Sequence, residues 1–241
     1  MDRAAYLAAL RRDTQAFATA IDGVGLQAPV PSCPEWNTGD LVHHVSQIFA
    51  FWGSIIAERA TSRDAVQRVG REPDDRLMDA YRRHAARLLE VLEDTDPSTE
   101  VWTWSSQHDV AFILRRMAQE IGVHRWDADD AAGHRAPIEA ELASDGIDEF
   151  LVLFLDGRPE KASVLGGSVH IHCGDVAGEW TIRPTGDGLS VSREHAKGDC
   201  ALRGRASDLL LALWRRIGVD ALDVVGDRDV AERFLGASDL E

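Results

Sequence analysis

The sequence predicts an α-helical bundle of four long helices followed by a smaller α+β domain with an antiparallel sheet. Three observations lead there. Four stretches before Pro137 repeat apolar side chains at three-and-four spacing, the signature of helices that bury one face. After Pro137 short alternating runs take over, separated by glycine-rich turns, as antiparallel strands require. At 241 residues the chain can hold one large domain or two ordinary ones, and with 44% hydrophobic side chains it can bury a sizeable core. The expected boundary lies near residue 137, giving a bundle over 1–137 and an α+β domain over 138–241.

In the first helix, over 3–21, Tyr6, Leu7, Leu10, Phe17 and Ile21 fall at helical spacing. Gly23, Gly25, Pro29, Pro31 and Pro34 then interrupt regular structure from Asp22 to Trp36. Asn37 or Thr38 offers an N-cap, and Asp40 places negative charge in the first turn of a second helix that runs to about Ala60. Its inner stripe is Leu41, Val45, Ile48, Trp52 and Ile55. A third helix, 74–94, carries Leu77, Tyr81, Leu88, Leu89 and Leu92, and Asp94-Thr95-Asp96-Pro97-Ser98 is a turn. The fourth helix, 109–131, ends near Gly133. Four amphipathic helices of this length make a bundle.

In the second half a helix is expected from 138 to 157, stopped by Gly157-Arg158-Pro159. Strands are expected at 169–172, 180–183, 189–192 and 201–204. Ser207 is placed to cap a helix through Leu209, Leu210, Leu213 and Trp214, and Asp229–Leu235 reads as a short last helix.

The formal charge is −15, from 41 acidic against 26 basic side chains. That field repels phosphate backbones and no basic run offsets it, so nucleic acid is an unfavourable partner. Three cysteines, Cys33, Cys173 and Cys200, with no paired spacing suit a reducing compartment better than a disulfide framework. The N-terminus lacks the layout of a signal peptide, and no apolar run nears the roughly 20 residues that span a bilayer. The expectation is a soluble, cytoplasmic protein.

The chemistry centres on Glu120 and His124 in the fourth helix. Four residues apart, they share one face, one turn above the other. The apolar stripe of that helix is Val110, Ile113, Leu114, Met117 and Ile121; His124 falls inside it and Glu120 on its flank. A carboxylate there calls for a partner or a metal. A partly exposed helical ion pair is the plainer reading. On the second helix the phase puts His44 on the flank of the apolar face and turns His43 toward solvent. A core histidine bonded to a carbonyl is the plainer reading of His44. The three together form a two-histidine, one-carboxylate set on two helices of a bundle, a common place for metal sites. Such a set suits catalytic zinc with an open fourth position, and also non-haem iron(II).

The stretch from Val30 to His44, with its Cys33-Pro34-Glu35-Trp36 turn and the helix opening Asp40-Leu41-Val42-His43-His44, resembles the N-terminal signature of the mycothiol-dependent maleylpyruvate isomerase family, a branch of the DinB-like bundles. Glu120 through Asp127 resembles that family's second signature. His170 through Trp180 to Leu210 is similar to its C-terminal domain, an α+β fold of the sterol-carrier type. The resemblance implies a divalent metal, usually zinc, held by His44, Glu120 and His124. It also implies mycothiol as a thiol cosubstrate acting on a small electrophile, in an isomerase or an S-transferase. A non-catalytic DinB-like metal-binding or stress-response protein is the alternative. Where the family tends to read glycine then arginine after the leucine-rich helix, this chain has Arg215 and Arg216. Arg205 and Arg216 are the candidates for a cationic group facing an acidic substrate.

Other groups carry less. His170 and His172 share a strand face, but no third ligand is evident, and an exposed face is the expectation. His84, His108, His134 and His195 are expected at the surface. Asp127, Asp129 and Asp130 read as a solvated helix end, with support of the metal ligands as the alternative. Cys33 is expected to pack under Trp36. No phosphate-binding loop or serine-hydrolase elbow occurs.

Overall fold

The computed structural model describes residues 1–155, 162 and 164–237 and divides into two compact units, Met1–Ala136 and Pro137–Glu241. In the first unit, α1 (Arg3–Val24) starts where the Asp2 carboxylate accepts the Ala5 N–H at 2.8 Å. It ends at Gly25, whose φ of 76° reverses the chain at no steric cost. The segment from 25 to 37 is a fixed turn. The Val30 N–H donates to the Trp36 carbonyl at 3.1 Å, and the Thr38 hydroxyl donates to the Gly25 carbonyl at 2.6 Å. α2 (Thr38–Ala57) opens with a reciprocal capping box between Asn37 and Asp40. It stops just short of Ala60, where Arg59 takes a left-handed φ of 48°. α3 is Asp74–Asp94 and α4 is Val110–Ala131.

α1 packs chiefly on α4 and α2 on α3, with α2 also against α4. Leu10, Phe17, Ile21, Leu41, Val45, Phe49, Leu88, Ile113 and Ile121 are all buried in the core. α4 differs from its neighbours because it is buried nearly all round. Besides its stripe, it sinks Arg116, Gln119, His124, Arg125 and Asp127 below the surface. Charges at that depth need partners, and each of those described below has one.

In the second unit, α5 (Ala140–Phe150) runs on into a π turn over Leu151–Leu155 instead of continuing as one regular helix. The expected stop at Gly157-Arg158-Pro159 lies outside the described residues. The strands are β1 (Val169–Cys173), β2 (Glu179–Thr185), β3 (Gly188–Ser192), β4 (Cys200–Gly204) and β5 (Asp223–Gly226), ordered β3-β2-β1-β4-β5. Every pairing is antiparallel except β1 with β4, which run parallel, so the sheet is mixed. β5 escapes the sequence pattern because four residues at an edge, Asp223-Val224-Val225-Gly226, show no alternation. Ser207 does not cap α6 (Ala206–Leu213). It lies inside the helix, and its hydroxyl accepts the Ile138 N–H at 2.9 Å. α7 is Arg228–Gly236.

The sheet is two-faced. Val169, Ile171, Cys173, Trp180, Ile182, Cys200 and Leu202 are buried on the side that α6 and α7 cover. The period of two sends His170, His172, Glu179 and Arg203 to the other side. Among the described residues no helix is long and apolar enough to cross a membrane. Among the described residues no cysteine is paired in a disulfide, and burial pushes Cys173 and Cys200 up to about 11.

Candidate metal centre

His44 on α2 and Glu120 and His124 on α4 converge, one donor atom from each lying within 4.8 Å of the others. Glu120 Oε1 sits between the two imidazoles, 3.4 Å from His44 Nε2 and 3.2 Å from His124 Nε2. Three donors around one cation at 2.0–2.2 Å in tetrahedral array stand roughly 3.3 Å apart, so these spacings fit a single divalent ion with little adjustment. The rings of His44 and His124 meet edge to face with centroids 4.9 Å apart.

Each ligand is held by something further out. Glu120 Oε2 accepts Arg116 at 2.7 Å, which leaves Oε1 for the imidazoles. His124 Nδ1 bonds Asp127 Oδ2 at 2.9 Å, and the Ser32 hydroxyl donates to Asp127 Oδ1 at 2.6 Å. With Nδ1 tied to a carboxylate, the Nε2 lone pair of the neutral ring faces the site, the arrangement that orients metal-binding histidines. The Trp36 ring packs against His44 at a tilt of 50°, their centroids 5.0 Å apart. The proline-rich turn thus serves both histidines, Ser32 through Asp127 and Trp36 directly.

The electrostatics are those of a tightly coupled cluster. Burial alone would raise the Glu120 carboxyl, but hydrogen bonds from His124 and His44, with the charges of His124 and Arg116, hold it well below its usual range. Burial would lower His124, yet the bonds to Asp127 and Glu120 win and push it up to about 9.

Several expectations need correcting. Asp127 is fully buried and is the inner support of His124, whereas Asp129 pairs with Arg125 at 2.8 Å and Asp130 with Arg135 at 2.6 Å. A helix end that looked solvated is folded inward, because α4 is buried on both sides there. His43 does not project freely into solvent; it is half-buried near Arg71 and Asp40, and burial lowers its pKa. His84 is half-buried and bonds Ser46 Oγ at 2.9 Å, while His108 and His134 are exposed. His170 and His172 do have a nearby carboxylate and a third imidazole, Glu179 and His195. Arg116 was not singled out in the sequence, although its spacing four residues before Glu120 was a readable signal. Arg205 lies in the second unit with its guanidinium 3.6 Å from Asp175, and Arg216 donates to the Trp214 carbonyl at 2.9 Å.

Fold and site together define a class, a helical bundle with a two-histidine, one-carboxylate cluster in its first domain and an α+β second domain. The family description Mycothiol maleylpyruvate isomerase N-terminal domain matches residues 7–129, and that of the corresponding C-terminal domain matches 141–233. The chain belongs to the mycothiol-dependent maleylpyruvate isomerase family. Two solved structures share its fold at 14% identity, each covering 93% of both chains. They are a histidine-to-alanine variant of a mycothiol-dependent maleylpyruvate isomerase, at a TM-score of 0.65, and the mycothiol-dependent maleylpyruvate isomerase itself, at 0.63. No curated protein sequence matches the chain.

Proposed function

We propose that the chain is a divalent-metal-dependent and mycothiol-dependent isomerase of the maleylpyruvate isomerase type, with S-transfer as the other outcome open to the same site. The convergence of His44, Glu120 and His124, in a chain of this family, is the observation that supports it. A zinc-class cation held by these three side chains would supply a Lewis-acid position where a thiol is deprotonated at neutral pH, unlike a free thiol with a pKa near 8.5.

The chain's own groups do the positioning. Arg116 fixes one oxygen of Glu120 so that the other is aimed inward. Asp127 and Ser32 fix the ring of His124, and Trp36 fixes that of His44. His44, with its side chain 35% exposed, gives the trio its opening to small molecules. The mycothiol thiolate adds to one carbon of an activated cis double bond, the resulting single bond rotates, and expulsion of the sulfur restores the double bond as trans. No thiol is consumed. In a transferase the new carbon–sulfur bond is kept. Arg205 and Arg216 are proposed as the cationic groups for an acidic substrate, and alanine there is expected to raise KM more than it lowers kcat.

The test is elemental analysis of the untagged protein, followed by turnover of maleylpyruvate with and without mycothiol. His44→Ala and His124→Ala are expected to lose a bound metal equivalent and thiol-dependent turnover together. Turnover that persists in either variant with the metal retained would overturn the assignment. Metal without any turnover over a panel of electrophiles would leave a binding protein.

A further inference from the structure

We propose a second metal site, on the open face of the C-terminal sheet, formed by His170, His172, Glu179 and His195 and suited to a borderline divalent cation such as zinc. One donor atom from each of the four lies within 4.8 Å of the others. The strands explain three of them. His170 and His172 are two apart on β1 and share a face, and the β1–β2 register sets Glu179 directly across from His172. The fourth comes from the segment after β3. There the Thr181 hydroxyl donates to the Glu194 carbonyl at 3.1 Å, which lays His195 over the sheet.

Glu179 is the hub. Its Oε1 is 2.5 Å from His172 Nδ1, and its Oε2 is 2.9 Å from His195 Nδ1 and 4.0 Å from His170 Nε2. The rings of His170 and His195 meet edge to face at 5.0 Å.

A hydrogen-bonded patch of surface histidines would account for His172, Glu179 and His195. It does not account for His170. That residue is 4% exposed, and its Nε2 is buried without a hydrogen-bond partner among the described residues, 4.0 Å from the carboxylate it faces. A buried ring nitrogen left unpaired is costly, because it has lost water and gained no partner. A cation seated among the four groups removes that cost by taking the lone pair. Three imidazole nitrogens and one carboxylate oxygen match the donor preference of zinc, and of cobalt, nickel and copper(II), better than that of calcium or magnesium. Four protein ligands fill a tetrahedral shell, so the bound ion would clasp the segment around His195 to β1 and β2. It would serve as a structural site. Arg203, in register with His172 on β4, adds a positive charge nearby, which a carboxylate ligand offsets.

The experiment titrates the untagged, metal-stripped full chain with Co²⁺, reading bound equivalents by elemental analysis and geometry by the visible ligand-field bands. His195→Ala and His172→Ala are expected to bind one equivalent fewer than the parent, or to bind it at least about 10-fold more weakly, the cost that even outer partners of a metal ligand carry. Both should lose its four-coordinate absorption. His44→Ala should keep that equivalent, which separates this site from the one in the bundle. His195 has a side chain 75% exposed, so its replacement leaves the fold in place, as a circular dichroism melt verifies. His134→Ala, an exposed histidine elsewhere, should change nothing. If His195→Ala and His172→Ala bind cobalt with the parent's stoichiometry, affinity and spectrum, the site does not exist.

Discussion

The two histidine–carboxylate clusters use the same side chains on different scaffolds. In the bundle, Glu120 and His124 sit one turn apart on a helix buried nearly all round, and each is braced by a further charged group, Arg116 or Asp127. On the sheet, Glu179 bonds two imidazoles directly, and three of the four side chains are open to solvent. The first cluster therefore has its geometry imposed from behind before any ligand arrives. The second takes its geometry from strand register and one anchored segment. Burial makes the first electrostatically expensive to disturb, and exposure makes the second cheap.

The heaviest blow to that contrast falls on Arg116. Its side chain is 6% exposed, and removing one partner of a buried pair leaves the other charge stranded, a loss of about 3–5 kcal/mol. Arg116→Met is expected to lower the unfolding free energy of the metal-free protein by that much, read as a lower denaturant midpoint with an unchanged slope. A loss below about 1 kcal/mol would mean that the two histidines alone stabilise Glu120.

Next comes the support of His124. Asp127→Asn keeps the shape but gives up the charge, and should weaken metal binding or activity by about 10–100-fold, read by competition with a chelator of known affinity. Ser32→Ala acts one bond further out and should cost less. The reverse order would place the controlling contact in the proline-rich turn instead of on α4.

The pH dependence sharpens the same point. In the metal-free protein His124 is raised from 6.5 to about 9, so the stability it contributes is fully present below pH 6.5 and is lost as the pH climbs through 9. Glu120 is shifted the other way and loses its contribution only in acid. The buried thiols Cys173 and Cys200, raised from 9.0, work against stability only above pH 9. The melting temperature of metal-free protein should fall between pH 6.5 and 9, and the metal-loaded protein should lack this slope. Metal uptake at pH 7 should release a proton from His124, measured by calorimetry in buffers of different ionisation enthalpy. A flat metal-free profile would mean that His124 is not held protonated by its two carboxylates.

The contrast also governs how much was legible in the sequence. The bundle and the α+β domain follow from the periods of apolar side chains, which the backbone enforces locally. Helix geometry makes a spacing of four meaningful, so Glu120 and His124 stand out, and the phase of α2 separates His44 from His43. Depth is another matter. Asp127 looked solvated because nothing in its own helix reveals that the Ser32 turn closes over it. Sheets hide still more. Glu179 meets His172 only through the register across the 174–178 turn, and His195 arrives from a segment of no regular pattern. No spacing rule joins those residues, and β5 disappears for the same reason.

The smallest expected effect belongs to the sheet. In metal-free protein Glu179→Gln removes a carboxylate that faces solvent, and exposed ion pairs contribute little to stability. Its denaturant midpoint should therefore shift far less than that of Arg116→Met. Added zinc should change that ranking, because an ion needing Glu179 stabilises only the parent, and by an amount that grows with its concentration. A zinc-dependent gap opening between parent and Glu179→Gln, on a background where His44→Ala has disabled the bundle cluster, would show that a cluster this exposed can acquire from a cation the rigidity that α4 builds into its own.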